Sequence, residues 1–230
     1  MGCETLIVIG GNGSLTGANI FAAENQIRVV GIPASIDNDI ACTSLCIGVD
    51  SAVNSIVEAC DKISDTARSH RRAFIVEVMG RECGYLAMAS AIATSADAVL
   101  FREQGKEEQQ LVDELKEVIR HAYSTMRNKR RVLIIKAEGV DVPTASLAER
   151  LESTMQTETN GATLRYTILG HVVRGGRPSA LDRIVASRLG FAAAHLAMAG
   201  HSQIMVGWRP YETGESTQDP RVDYFTLDTV

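Results

Sequence analysis

The sequence predicts an α/β fold: mainly parallel sheets with helices on both faces. Short apolar runs of strand length alternate with longer runs whose apolar residues recur at the helical period. The strand-length runs are apolar on both faces, as strands covered by helices on each side must be. Several of them end in loops bearing Gly, Asp, Arg, Glu or His, the edge where open α/β sheets hold ligands.

In chain order, Thr5–Ile9 is the first expected strand, and GGNGS after it turns into a helix starting near Ser14. Ile27–Gly31 follows as a strand and runs into GIPASIDNDI. Ile47–Thr66 has Ile47, Val49, Val53, Ile56, Val57, Cys60 and Ile63 near helical spacing. Strand Ala73–Val78 ends in VMGRECG, which begins a further helix. Ala98–Phe101 is a short strand, and Glu107–Met126 places Leu111, Leu115, Val118, Ile119 and Ala122 on one helical stripe. Strand Arg131–Lys136 ends in AEG, and strand Thr163–Leu169 ends in LGHVVRGGRP. Helix Leu181–Met198 and strand Gln203–Val206 complete the pattern. The stretch Arg209–Asp223 is polar and loop-like, and Tyr224–Val230 is expected to return as an edge strand.

The 230 residues are enough for a sizeable core. A net charge of −5 supplies no bulk attraction for nucleic acid or an anionic membrane, so an anion site must be built locally. Five cysteines without metal-type spacing read as reduced thiols, most of them core residues, of a cytoplasmic protein. No apolar run reaches membrane-span length, and Met1–Glu4 does not read as a signal peptide. The expectation is no nucleic acid and no membrane partner.

Several loops carry chemistry. GGNGS admits two readings. It is a tight strand-to-helix turn with a left-handed Asn and Ser14 as N-cap, or a turn whose amides meet a phosphate at a helix N-terminus. It lacks the Lys of a P-loop. Around Asn38, Asp37 and Asp39 are either turn caps or, beside a Gly-rich turn, a general base and a Mg²⁺ ligand. Arg81, Glu138, His171 and Arg174 stand at strand ends, where a guanidinium or imidazole can hold a phosphate. Together these loops outline one polar, anion-seeking cleft.

GGNGSLTGA, PASIDNDI, SHRRAFIVEVMGRECGYLA, the AEG strand end, LRYTILGHVVRGG and DRIVASRLG occur in the order and spacing of the 6-phosphofructokinases. The chain resembles that family, in its ATP-dependent type, over nearly its whole length. The resemblance implies transfer of a phosphoryl group from ATP to the 1-hydroxyl of fructose 6-phosphate, with Mg²⁺ as cofactor. It implies Asp37 as the base, Arg81 stabilising the transferring phosphoryl and Asp39 assisting the metal–phosphate arrangement. Ser35, Met79, Gly80, Glu138, His171 and Arg174 would hold the sugar phosphate. Gly11, Gly13 and Ser14 would line the nucleotide side, with Asn12 at the metal. Arg72 and Arg165 would complete a neighbouring subunit's site in a homo-oligomer.

The same resemblance assigns the nucleotide-side and catalytic loops to about residues 9–40, the sugar-phosphate portion to 41–208 and a tail to 209–230. Pyrophosphate-dependent relatives carry Asp at Gly13 and Lys at Ala34, so the small residues here imply room for a nucleotide. Two departures stand out. The family's turn is GGDGS, so Asn12 keeps an oxygen ligand and loses a charge. Family members also carry a further Gly-rich strand–loop–helix ahead of the position of Met1, so an N-terminally truncated domain is expected. Ser64 replaces a bacterial effector-binding Arg, with Lys129, Arg130 and Arg131 nearby. The alternative expectation is a catalytically impaired or truncated paralogue that binds sugar phosphate as a regulatory module.

Overall fold

The computed structural model describes residues 3–124, 126–159, 161–208 and 214–230. Thr125 of the expected helix Glu107–Met126, and Arg209–Thr213 of the polar tail, lie outside the described residues. The chain forms two compact units. One comprises residues 1–51 and 177–230, the other residues 52–176.

The first unit is built on a five-stranded sheet of order β1-β2-β7-β9-β8. Strands β1 (Thr5–Gly10), β2 (Arg28–Pro33) and β7 (Ile204–Trp208) run parallel. Strand β9 (Val222–Thr226) pairs antiparallel with β7, and the two-residue β8 (Glu215–Ser216) with β9. Helix α1 (Asn12–Asn25) packs on β1 and β2, and α6 (Ala180–Met198) packs on β2 and β7. The face toward α6 joins Val30, Ile32, Ile204 and Val206 to Val185, Leu189, Ala193 and Leu196 in one buried cluster. The last strand differs from expectation. It begins at Val222, two residues earlier than Tyr224, and is not an edge, because β8 covers its outer side.

Asp182, in the first turn of α6, is only 3% exposed and works as a clasp. Its carboxylate accepts from the amides of Gly48 and Ser51, both at 2.8 Å. Its own amide donates to the N-cap hydroxyl of Ser179 at 3.1 Å. A buried carboxylate is tolerable only with such a set of donors.

The second unit carries a four-stranded, fully parallel sheet of order β4-β5-β3-β6. Its strands are β3 (Arg72–Val78), β4 (Ala98–Leu100), β5 (Arg131–Ala137) and β6 (Thr163–Ile168). The helices are α2 (Val49–His70, which begins in the first unit), α3 (Tyr85–Ala93), α4 (Glu108–Tyr123) and α5 (Thr144–Glu158). Leu111, Leu115 and Ile119 of α4, and Leu147, Leu151 and Met155 of α5, close over Ala73, Ile75, Val132 and Ile134. Residues of the other face, Phe74, Val76, Leu133 and Ile135, are buried as well. That double burial is why these strands read as unbroken apolar runs.

Helix α5 is absent from the sequence reading. Its apolar positions Leu147, Leu151 and Met155 are separated by Ser, Thr, Glu and Arg, so its stripe is narrow. The cysteines also differ from expectation: Cys46 and Cys60 are buried, Cys42 and Cys83 half-buried, and Cys3 exposed. Burial pushes the Cys60 thiol up to about 11. At pH 8, iodoacetamide should therefore label Cys3 and leave Cys60 unmodified in the folded chain, as peptide mapping would read. Asp182→Ala strands the half-buried amides of Gly48 and Ser51 and should lower the unfolding free energy by about 2–4 kcal/mol in urea titrations.

Candidate active site

In the first unit, the Gly-rich turn and the SIDND loop stand side by side because β1 and β2 are parallel neighbours. The Ala34 amide donates to the Gly10 carbonyl at 2.9 Å, so the two loops leave the sheet together. The helix begins at Asn12, with Gly11 as N-cap in extended backbone (φ −86°) and no side-chain cap bond. Two sequence expectations are corrected here. Ser14 is not the N-cap, and Asn12 is helical rather than left-handed. A Cβ at Gly10 would lie 2.6 Å from Ser14 Cβ, so this glycine answers to helix–strand packing. At Gly13 no atom lies within 4 Å of a built Cβ, so packing makes no such demand. An open position at a helix N-terminus has space for a ligand.

The left-handed residue is Asn38 (φ 53°). Its side chain accepts from the Cys46 amide at 2.9 Å and donates to the Ser44 carbonyl at 3.2 Å. Asn38 is thereby the staple of the loop, a role the sequence reading missed, although Asn between two Asp is a known signal for left-handed backbone. Around it, Asp37 is half-buried and Asp39 exposed. Asp39 accepts from the Ser35 hydroxyl at 2.8 Å and from the Asn12 amide at 3.1 Å. The structure therefore brings Gly11, Asn12, Gly13, Ser14, Ser35, Asp37 and Asp39 to one edge of the first sheet.

Among the described residues no cluster of three or more His, Cys, Asp or Glu could hold a metal ion. The donor set near Asp39 is one carboxylate and one amide. That set fits Mg²⁺ in the way this ion usually binds, through one or two protein oxygens with phosphate and water supplying the rest.

In the second unit, three adjacent strands deliver the anion-binding candidates. The Glu138 amide donates to the Val78 carbonyl at 2.9 Å, Gly139 to Gly80 at 3.1 Å, and Leu169 to Glu77 at 3.0 Å. These bonds tie together the loops after β3, β5 and β6. Met79 and Gly80 are buried, whereas Arg81, Glu138, His171 and Arg174 are exposed at the carboxyl edge. Gly80 takes a left-handed φ of 121°. At Gly139 a Cβ would lie 1.9 Å from the Arg81 carbonyl oxygen, so no other residue fits without parting the loops. His171 and Arg174 lie on a 3₁₀ turn, Gly170–Arg174, where residues three apart eclipse one another. The sequence suggested a loop there and not this alignment.

Arg72 and Arg165 are placed differently. Arg72 opens β3, at the end opposite Arg81, and Arg165 lies within β6 with Nη1 donating to Glu152 at 3.3 Å. Neither joins the strand-end cluster. At the amino-terminal end of the same sheet, Arg68, Lys129, Arg130 and Arg131 line a hollow of about 330 Å³. Arg131 donates to the Ser64 hydroxyl there at 2.6 Å.

The phosphofructokinase family profile matches residues 1–197. An ATP-dependent 6-phosphofructokinase of Natranaerobius thermophilus is 44% identical over 92% of the chain and 62% of its own length. ATP-dependent 6-phosphofructokinase 2 of Bacteroides thetaiotaomicron is 45% identical over 90% of the chain and 60% of its own length. The chain thus spans about three fifths of these relatives. The phosphofructokinase structure from Saccharomyces cerevisiae superposes with a TM-score of 0.83 at 32% identity, covering 98% of this chain and 32% of that one.

Gly139→Ala should part the Arg81 and Glu138 loops and destabilise the chain by about 1–3 kcal/mol, read by chemical denaturation. On its folds, its ordered strand-end motifs and these matches, the chain belongs to the phosphofructokinase family.

Proposed function

We propose that the chain transfers a phosphoryl group from ATP to the 1-hydroxyl of fructose 6-phosphate, giving fructose 1,6-bisphosphate, the glycolytic step of the cytoplasm. What carries this reading is identity of 44–45% to enzymes named ATP-dependent 6-phosphofructokinase along about nine tenths of the chain. The site geometry supports it. In the first unit Asp37 is the base for the acceptor hydroxyl, next to an Asp39 whose carboxylate is already oriented by Ser35 and Asn12. In the second unit Arg81 would stabilise the transferring phosphoryl, and Met79, Gly80, Glu138, His171 and Arg174 would hold the sugar phosphate, a task that Ser35 of the first unit would share.

Chemistry of this kind needs little covalent help. Holding the hydroxyl in line and placing fixed positive charge where the phosphoryl charge develops account for most of the rate. Exposed guanidinium groups on hydrogen-bonded strand ends can supply that charge with little reorganisation. Gly11, Gly13 and Ser14 accommodate the nucleotide phosphates, and the open position at Gly13 favours ATP over a compact donor. Asp39 and Asn12 would hold Mg²⁺, which when bound neutralises phosphate charge. With one carboxylate in this pair, the Mg²⁺ requirement should lie at higher concentration than with two.

Arg72 and Arg165, set apart from the strand-end cluster, suit service to a neighbouring subunit in a homo-oligomer. Among the described residues no helix is long and apolar enough to cross a membrane. The reading as a catalytically impaired sugar-phosphate-binding module draws no support from the kinase names of the relatives.

Asp37→Asn should lower turnover roughly 10²–10⁴-fold, the usual share of a general base, with the melting temperature unchanged. A coupled assay for ADP, alongside calorimetry with fructose 6-phosphate, checks this. Undiminished turnover would remove Asp37 from the chemistry, and sugar-phosphate binding with no ADP produced would reinstate the module.

A further inference from the structure

Beneath the strand-end loops of the second unit, a buried and a half-buried ionisable side chain meet in register. Glu77 of β3 and Lys136 of β5 are direct cross-strand partners. The Lys136 side chain is 1% exposed and that of Glu77 16%, and Nζ donates to Oε2 at 3.1 Å. Thr144, the first residue of α5 and itself buried, donates its hydroxyl to the same oxygen. Lys136 Nζ also reaches the Ala137 carbonyl at 3.4 Å. The chemistry proposed above uses none of these groups.

The preceding positions on that face of the two strands are Ile75 and Ile134, both fully buried. Replacing a buried ion pair by an apolar pair is often neutral for stability, because the desolvation of two charges offsets much of their attraction. Stability alone therefore does not account for Lys136. What an ion pair adds is direction: its hydrogen bonds set how far one strand end lies along the other, whereas apolar contacts tolerate sliding.

The pair sits where such a setting matters. One residue after Glu77, Val78 accepts from Glu138, and the Glu77 carbonyl itself accepts from Leu169. Two residues after Lys136 comes Glu138, and Thr144 closes the loop that Glu138 opens.

We propose that Lys136 and Glu77, with Thr144, are positioning residues that lock the ends of β3 and β5 and the start of α5. The lock holds the Met79–Arg81 and Glu138–Gly139 loops in the arrangement that grips a phosphorylated sugar. The ligand part rests on the function proposed above.

The decisive variant is Glu77→Gln combined with Lys136→Met, which removes both charges at similar volume. Amide hydrogen exchange followed by NMR should show Glu138 and Gly139 exchanging about tenfold faster, with Ile75 and Ile134 unchanged. Calorimetry on the same protein should show the Kd for fructose 6-phosphate raised by about tenfold. Lys136→Met alone, which strands the half-buried Glu77 carboxylate, should do more on both readouts. Thr144→Val removes one tie and no charge, and should move the same two amides less far in the same direction, so the test survives if the double variant does not fold.

Wild-type protection at Glu138 and Gly139 in the double variant would overturn the proposal. So would an equal loss at Ile75 and Ile134, which marks general destabilisation, or faster loop exchange with an unchanged Kd. A wild-type chain that fails to bind fructose 6-phosphate refutes the sugar-phosphate reading, while the exchange comparison still decides whether the pair locks the loops.

Discussion

The second unit depends on one constraint: three parallel strands must end level enough for their outgoing loops to share main-chain hydrogen bonds. The bonds from Glu138 to Val78, Gly139 to Gly80 and Leu169 to Glu77 are the direct expression of that register. A slip of one residue in β5 would turn Glu138 to the other face and bring a side chain against the Arg81 carbonyl. The apolar burial of both sheet faces enforces the register from below, and the glycine at 139 permits it from above. Cationic and acidic side chains then project from a braced edge, and their solvent exposure reflects this placement.

The first unit solves a related problem with side chains instead of strand ends. Its acidic loop is folded by Asn38, whose amide group does the work of a backbone turn. Asp39 is then oriented by two neutral donors, Ser35 and Asn12. An Asp at position 12 would meet Asp39 as a like charge, tolerable only with a cation between them. Asn12 replaces that repulsion with a hydrogen bond to Asp39.

Much of this was legible in the residues. Strands apolar on both faces announced parallel sheets, as β2, β3 and β5 bear out, while β1 and β6 leave apolar side chains exposed. What escaped was of three kinds. Helix α5 has too narrow an apolar stripe for periodicity to reveal it. Asn38 and the 3₁₀ turn at His171 depend on local backbone choices that residue type only biases. Lys136 hides in an apolar run, and only cross-strand register discloses Glu77 as its partner. The last strand was drawn too late in the chain because Val222 and Asp223 adjoin a polar stretch, although Val222 is fully buried.

The two units also differ in how the chain is threaded through them. Residues 52–176 form the second unit without interruption, whereas the first draws on 1–51 and 177–230. Its parallel pairing of β2 with β7 joins Val30 to Ile204, a loop closure across most of the polypeptide. Closing so long a loop is entropically costly and slow compared with the local pairings of β3, β4 and β5. Until β7 is available, the edge of β2 that it pairs with is unsatisfied. The topology thus places the long closure in the split unit, where a strand edge left unpaired before β7 is available invites aggregation.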